Sequence, residues 1–570
     1  FESTVIAALE FEQKLDFLTK GLRFKALGTF KNWSKSINKY SAGWNKYLLG
    51  SYEQNEDGSY SYTTNRVGNE VSTDLNSTNE TAGDRRIYLE AMVDYNRTFG
   101  RHDVNAMLLY NQDELVNNVP GNNLINSLPK RKQGLAGRLS YAYDGKYMAE
   151  VNMGYNGSEN FAKGHRWGFF PSIALGYNIS EESFFEPLRK VITSMKLRGS
   201  WGLVGNDQIG GERFIYMPTI NLSGKGFTTG IDQNYGLSGP VYTRYENNSI
   251  TWEVGEKINL GIDLQLLNSL NIVVDIFRET RRDIFQKKGT IPTYLGTGNT
   301  DVFGNLAEMK NQGLDLSIDY NKAFTYAHNE ITKYDEAPKY AFQSKVGQSA
   351  NVSQGYLSNG LFLDEAEIDR YNQQMGSTLG AGDIKYLNVS NMHGYGDDIV
   401  DVDDWTWIGN PTVPEIVYGF GPSFKYKNWD FSFFFQGVAK TSLFMSGFHP
   451  FGDNSLRNVL QFVANDRWSP TNQNVDAKYP RLTRKTSLNN TNPGNSGRTS
   501  DYWMRDGSFL KLKNMELGYT FKRMRFYISG SNLLTFSKFD LWDPEQGGGS
   551  GLKYPTQRVF NVGFQMTFNN

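Results

Sequence analysis

Cysteine is absent from all 570 residues, which removes disulfide frameworks, thiol nucleophiles and Cys-ligated metal centres together. Histidine is scarce. The five occur at 102, 165, 328, 393 and 449, without H-E-x-x-H spacing or clustering, so neither a zinc site nor a catalytic triad is indicated and no enzyme is expected. No apolar run approaches the ~18–20 residues that a transmembrane helix needs, and the mean hydropathy of −0.53 is too polar for a helical membrane protein. Neither sign of charge prevails: 59 basic against 60 acidic residues leave a net −1, which argues against nucleic acid as a partner. Proline is sparse, at 17.

What remains is aromatic and glycine-rich. Aromatics make up 14% of the chain and glycine supplies 58 residues, a composition that suits many strands joined by tight turns, with aromatic girdles at two bilayer interfaces. The C-terminal segment Phe560-Asn-Val562-Gly-Phe564-Gln-Met566-Thr-Phe568 is large and apolar at every second position. A strand with one face in hydrocarbon and one in water reads this way, although a half-buried strand of a soluble sandwich shows the same alternation. Val562 falls on the apolar side and Gln565 on the other, as do Val151 and Asn152 in an earlier strand.

The connections decide between the two. Leu135–Tyr143 and Tyr147–Tyr155 alternate on either side of Asp144-Gly145, a two-residue hairpin signal because both turn positions need φ > 0. Similar hairpins turn near Thr98–Arg101, Asn268–Leu270, Lys427-Asn428 and Lys522-Arg523. Between them lie long polar stretches, near 36–83, 206–250, 286–311, 332–414 and 441–508. Short turns on one side and long loops on the other are the outer-membrane pattern. The apolar parity changes between Leu512 and Met515, which predicts a β-bulge at Lys513-Asn514. The fold class expected is all-β, a transmembrane antiparallel barrel with about 17 strands in this chain. An odd strand count places the two chain ends on opposite sides, so at least one further strand is expected before Phe1. The hairpin around Asn321-Lys322 is expected to leave strands of about nine residues, as though residues were absent near 321–323.

Ordered motifs run through the whole chain: Arg131-Lys-Gln-Gly-Leu-Ala-Gly-Arg138, Arg166-Trp-Gly-Phe-Phe-Pro171-Ser172, Leu197-Arg-Gly-Ser-Trp-Gly-Leu-Val-Gly205-Asn206, Gly360-Leu-Phe-Leu-Asp364, Gly382-Asp-Ile-Lys-Tyr386, Gly409-Asn-Pro-Thr-Val-Pro414-Glu415, Lys478-Tyr-Pro-Arg-Leu482, Ser508-Phe-Leu-Lys-Leu-Lys-Asn514 and Asn532-Leu-Leu-Thr-Phe536. In these the chain resembles the SusC/RagA-type TonB-dependent transporters of the Bacteroidetes outer membrane. The resemblance implies that residues 1–570 are the C-terminal part of a 22-stranded barrel. The N-terminal plug, the first strands and the segment that contacts the TonB complex would lie outside this sequence. It also implies a SusD-like lid lipoprotein as partner and import of glycan fragments or oligopeptides. A non-transporting barrel, serving as surface receptor, adhesin or secretion-associated scaffold, is the alternative.

Many relatives carry an Asp-x-Asn-x-Asp-Gly run before the Gly-Asn-Pro motif. Here Asp397, Asp398, Asp401, Asp403 and Asp404 offer oxygen ligands for calcium, but that spacing is not kept, and a solvated acidic loop is the competing reading. No other cofactor is expected. Trp405, Trp407, Phe448, Phe451 and Trp542 stand on long loops as candidates for substrate or lid contact, with packing inside the loops as the alternative. Arg281-Arg282 is placed near the long-loop rim, within reach of lipopolysaccharide phosphates; outer-membrane lipid surrounds the rest.

Overall fold

The computed structural model describes residues 1–121, 124–292, 301–318, 322–371, 373–374, 379–395, 397–446, 459–482 and 499–568. Its long strands are β1 (Glu2–Lys14), β2 (Leu22–Ser41), β3 (Asn76–Phe99), β4 (His102–Asn117), β5 (Lys130–Tyr143), β6 (Tyr147–Ser158), β7 (Trp167–Asn178), β8 (Ile192–Asn206), β9 (Glu253–Leu266), β10 (Leu270–Lys287), β11 (Phe303–Ile318) and β12 (Lys322–Lys333). The series continues with β13 (Ile416–Phe420 and Ser423–Tyr426), β14 (Trp429–Ala439), β15 (Phe509–Phe521), β16 (Met524–Ser537) and β17 (Val559–Met566). The two pieces of β13 run along the same partner, β14, and are parted at Gly421-Pro422, where proline has no N–H for the ladder. Counted this way, the eighteen sheet segments make seventeen strands among the described residues, as the alternation predicts. No described helix is long and apolar enough to cross a membrane.

The chain divides into two compact units. The first holds Phe1–Phe99, Asp103–Leu139 and Asn152–Phe169; in it β1 pairs with β2, and β2 with β3, all antiparallel. The second holds Gly100–His102, Ser140–Val151 and Phe170–Asn570, and in it β8 through β17 form a meander in which each strand pairs with the next.

Local chemistry explains the turns. Asp144 and Gly145 have φ of 55° and 66°, the left-handed pair that a type I′ hairpin demands. The bulge falls where parity places it: against β14 the pairing passes from Phe435↔Leu512 to Phe434↔Asn514, leaving Lys513 as the extra residue.

Several expected boundaries move. The alternation places the facing ends of β2 and β3 near 33 and 84, yet the ladder continues to Ser41↔Asn76. Once a strand leaves the bilayer both faces are wet, so apolar alternation disappears while backbone pairing continues. For the same reason β11 begins at Phe303, inside the polar stretch 286–311. It is 16 residues long and β12 is 12, which corrects the expected nine-residue strands; the turn at 319–321 lies outside the described residues. Two stretches expected as loops hold hairpins of their own, Lys46–Gln54 with Tyr60–Val67 and Thr219–Thr229 with Tyr235–Arg244.

The two faces of the strands differ in chemistry. Leu260, Ile276, Phe424, Ile528 and Val562 share the apolar face, each more than half exposed. The other face carries ion pairs built on a repeated device, an arginine forked between acids of adjoining strands. In the first unit Arg23 donates to Asp94 at 2.9 Å and to Glu12 at 3.2 Å. In the second, Arg198 donates twice to Asp275 at 2.7 Å and to Asp263 at 3.1 Å, while Arg525 reaches Asp430 and Glu516. Two of these forks cross a glycine. A Cβ on Gly261 would lie 2.6 Å from the Arg198 Cζ, and one on Gly518 would lie 2.6 Å from both the Arg525 Nη2 and the Asp430 carboxylate. Glycine here is a requirement of side-chain passage.

The facing assignment predicts that Val562→Arg impairs outer-membrane assembly, at roughly 2–4 kcal/mol near the midplane, whereas Gln565→Arg assembles normally. Heat-modifiable electrophoretic mobility of the two variants checks this, and equal defects would contradict it.

Candidate functional site

Strand direction alternates, so the connections β12–β13, β14–β15 and β16–β17 leave the same edge of the sheet. All three are long, and they pack into one apolar core rather than standing as separate loops. Tyr356, Ile384 and Tyr386 from the first meet Leu443, Trp468, Tyr479 and Trp503 from the second and Phe539 from the third; Trp503, Tyr386 and Ile384 are fully buried. Short antiparallel pairs stiffen the assembly: Ser353–Gly355 with Thr406–Ile408, Ser358–Leu361 with Ile384–Tyr386, and Ser442–Phe444 with Met504–Asp506.

Polar locks join the loops. Asp383, fully buried, accepts from Arg481 Nε at 2.5 Å and Nη2 at 3.1 Å, and from the Gly380 N–H at 3.0 Å. This bidentate pair ties the first loop to the second, and its partner raises the Arg481 pKa above the ordinary guanidinium value. Beside it, Gly382 has φ of 83° and the Trp468 ring lies 2.4 Å from where a Cβ would sit, so only glycine fits. The Leu361 N–H donates to Val475 O at 2.9 Å and the Ser358 N–H to Asp501 Oδ1 at 2.7 Å.

The third loop is held from the sheet itself. Lys511 of β15, buried to 1% exposure, donates to Asp543 and, at 2.9 Å, to Glu545, which also accepts from Lys513 at 2.6 Å. Burial opposes ionisation of Asp543 and Glu545, but the lysine bonds prevail and hold both carboxyls below their ordinary range. The Gly549 N–H donates to Phe444 O at 2.8 Å, which closes the third loop on the second.

The candidate aromatics sit within this framework. Trp405 is half-buried, edge-on to Tyr356 at 6.0 Å, and packs against the loop core. Trp407 is half-buried and its indole N–H donates to Ser344 O at 2.9 Å. Trp542 stands edge-on to Phe539 at 4.6 Å and donates to Gly547 O at 2.9 Å. Phe448 and Phe451 lie outside the described residues.

A sheet of alternating strands with long loops packed at one edge is the architecture of an outer-membrane receptor, and comparison with known proteins bears on it directly. The family model for the TonB dependent receptor-like β-barrel matches residues 8–533. The chain belongs to that family. TonB-dependent receptor P3 of Formosa agariphila is 25% identical over a match covering 88% of this chain and 54% of that protein. TonB-dependent receptor SusC of Bacteroides thetaiotaomicron is 27% identical, with 76% and 43% covered. The solved structure of the RagAB peptide transporter superposes with a TM-score of 0.67 at 18% identity, covering 100% of this chain and 62% of that one, and shows the shared fold. The chain spans about half the length of the curated relatives it matches.

As an outer-membrane receptor barrel, the chain turns its exposed apolar face to lipid, its short turns to the periplasm and its loop assembly to the outside. The five aspartates weighed as calcium ligands against a solvated acidic loop do not form one cluster. Asp404 is buried and accepts the N–H groups of Ser390 at 2.9 Å and Asp401 at 2.8 Å; burial pushes its pKa up against those bonds. Asp401 caps the Asp403 N–H at 2.8 Å, Asp403 pairs with Lys339, Asp397 accepts from Asn388 and Ile399, and Asp398 is exposed. Among the described residues, no group of three or more His, Asp or Glu has a metal-site arrangement. The cluster folds the loop through local caps instead. Arg281 and Arg282 also turn to acids, Glu279 and Glu253 for the first and Glu256 for the second.

The Asp383–Arg481 and Lys511–Asp543–Glu545 locks escaped sequence reasoning. Nothing local in the sequence pairs Asp383 with Arg481, 98 positions on, or Lys511 with Asp543, 32 positions on.

Removing one partner of a buried ion pair strands the other, so Arg481→Met should destabilise the loop assembly by about 3–5 kcal/mol while leaving the barrel folded. Hydrogen exchange at the amides of the buried Tyr356, Leu361, Ile384 and Tyr386 should then accelerate by roughly two to four orders of magnitude, with barrel-strand amides unchanged; unaltered loop protection would contradict the assignment.

Proposed function

We propose that this chain is the barrel portion of an outer-membrane importer that works through the TonB complex, with a SusD-like lipoprotein as an external lid and glycan fragments or oligopeptides as cargo. The observation that carries the reading is the rigid platform made when three long loops share one core at the outer edge of a TonB-dependent receptor barrel. Recognition groups need such support, because a loop that must be ordered on binding loses affinity to its own entropy. Similarity to SusC and to the fold of a peptide transporter favours import over a non-transporting receptor. In this reading Trp405, Trp407 and Trp542 anchor one edge of each ring in the platform and offer the remaining surface to cargo or lid.

Deletion of the full-length gene tests the proposal. Uptake of either fluorescent oligopeptides or fluorescent glycan fragments should fall to background, and in the parent strain should stop when the proton gradient is collapsed. Uptake of both classes that persists after deletion would overturn the reading, as would uptake indifferent to the gradient.

A further inference from the structure

The lipid face is interrupted at one place. On β6 the outward positions read Tyr147, Ala149, Val151, and on β8 they read Leu197, Gly199, Trp201, so two small residues stand where neighbouring strands carry large ones. Gly199 is in register with Leu175 on one side and Leu260 on the other, both about 60% exposed. The result is a groove of about 550 Å³, floored by Ala149 and Gly199, walled by Leu175, Leu197 and Leu260, and bounded toward the periplasmic turns by Tyr141, Tyr147 and Tyr177. That volume lies within the range of roughly 300–1,000 Å³ typical of small-molecule sites.

The tyrosines set the polarity of the groove. Tyr147 and Tyr177 stack at 5.1 Å with their planes 6° apart. The Tyr147 hydroxyl donates to Glu182 at 2.7 Å and the Tyr141 hydroxyl lies 2.7 Å from His102 Nδ1, so both phenols point to the turns while their rings line the apolar space. This is the arrangement of an interfacial aromatic belt, with water at one end and hydrocarbon at the other. Just beyond it lie charges of both signs in loose pairs: Lys146 is 3.6 Å from Glu182, and the largely exposed Arg101 is 3.7 Å from Asp144.

We propose that this groove is a binding site for one diacyl phospholipid of the periplasmic leaflet. An acyl chain fills the notch over Ala149 and Gly199. The phosphate of the head group exchanges into the loose pairs at Arg101 and Lys146, while Glu182 faces a head-group ammonium. Several features select this occupant over a protein strand or a lipopolysaccharide. The groove opens on the hydrocarbon face, it lies at the short-turn edge rather than the loop edge, and the mixed charge at its mouth matches a zwitterion.

The test is native mass spectrometry of the full-length protein, gently extracted from outer membranes and washed in detergent. Wild type should retain close to one phospholipid per chain. Gly199→Leu places its side chain in the notch, where the nearest neighbour of a Cβ is a movable Leu260 methyl at 3.2 Å, and should reduce retention roughly tenfold or more, the equivalent of two lost methylene contacts. Ala149→Leu supplies the same test should the first variant fail to assemble. Arg101→Gln with Lys146→Gln should leave the barrel assembled yet weaken retention and change which head groups are kept. Wild type without bound phospholipid, lipopolysaccharide in its place, or retention unaffected by filling the notch would each overturn the proposal.

Discussion

A strand in a bilayer must satisfy its backbone within the sheet, and must show hydrocarbon to one side and water to the other. Everything else in this chain depends on that period of two. It forces charged groups onto the inward face, where they are close together and only partly hydrated, and the arginine fork is the recurring answer. Arg23, Arg198 and Arg525 each answer two acids from adjoining strands, so that one guanidinium links three strands. Each pair is partly exposed, so its contribution is moderated by solvent. Register is the greater gain: a one-residue slip would carry every fork to the lipid side. Gly261 and Gly518 belong to this logic, since a side chain at either would occupy the space through which the guanidinium reaches its carboxylate.

Beyond the membrane the constraint lapses and a different one replaces it. The long loops must hold their own shape, and they do so as a soluble domain would, with buried aromatics, buried ion pairs and special glycines. Lys511 shows the junction of the two regimes: it belongs to a barrel strand, yet its ammonium is buried beneath the third loop and fixes that loop from below. The lipid groove lies at the opposite end of the strands, where Ala149 and Gly199 relax the outward bulk that the alternation otherwise maintains.

This division explains how much was legible in the residues. Strand number, hairpin turns and the bulge at Lys513 were readable because each rests on local rules: alternation, φ > 0 at Asp144-Gly145, and parity between Leu512 and Met515. The outer reaches of β2, β3 and β11 were not, since residues such as Lys35–Lys39 lie in a ladder wet on both faces and show no alternation. Trp405, Trp407 and Trp542 were recognisable as loop aromatics, but their packing depends on contacts such as Tyr356 and Phe539 that local reading cannot supply. The acidic run at 397–404 offers a cation site by composition, with a solvated loop as the competing reading; in the structure Asp401 and Asp404 cap backbone N–H groups, Asp403 pairs with Lys339 and Asp398 is exposed.

These 570 residues contain no cysteine, so the central claim can be tested residue by residue. Single cysteines introduced at each position from Lys257 to Leu264 of β9 except Gly261, in the full-length protein with any cysteine outside these residues replaced by serine, would be reacted in native outer membranes with a water-soluble maleimide. Labelling is expected at 257, 259 and 263 and protection at 258, 260, 262 and 264, with 261 kept as glycine because a side chain there would displace the Arg198 guanidinium. Labelling without a period of two, or with its phase reversed, would contradict it.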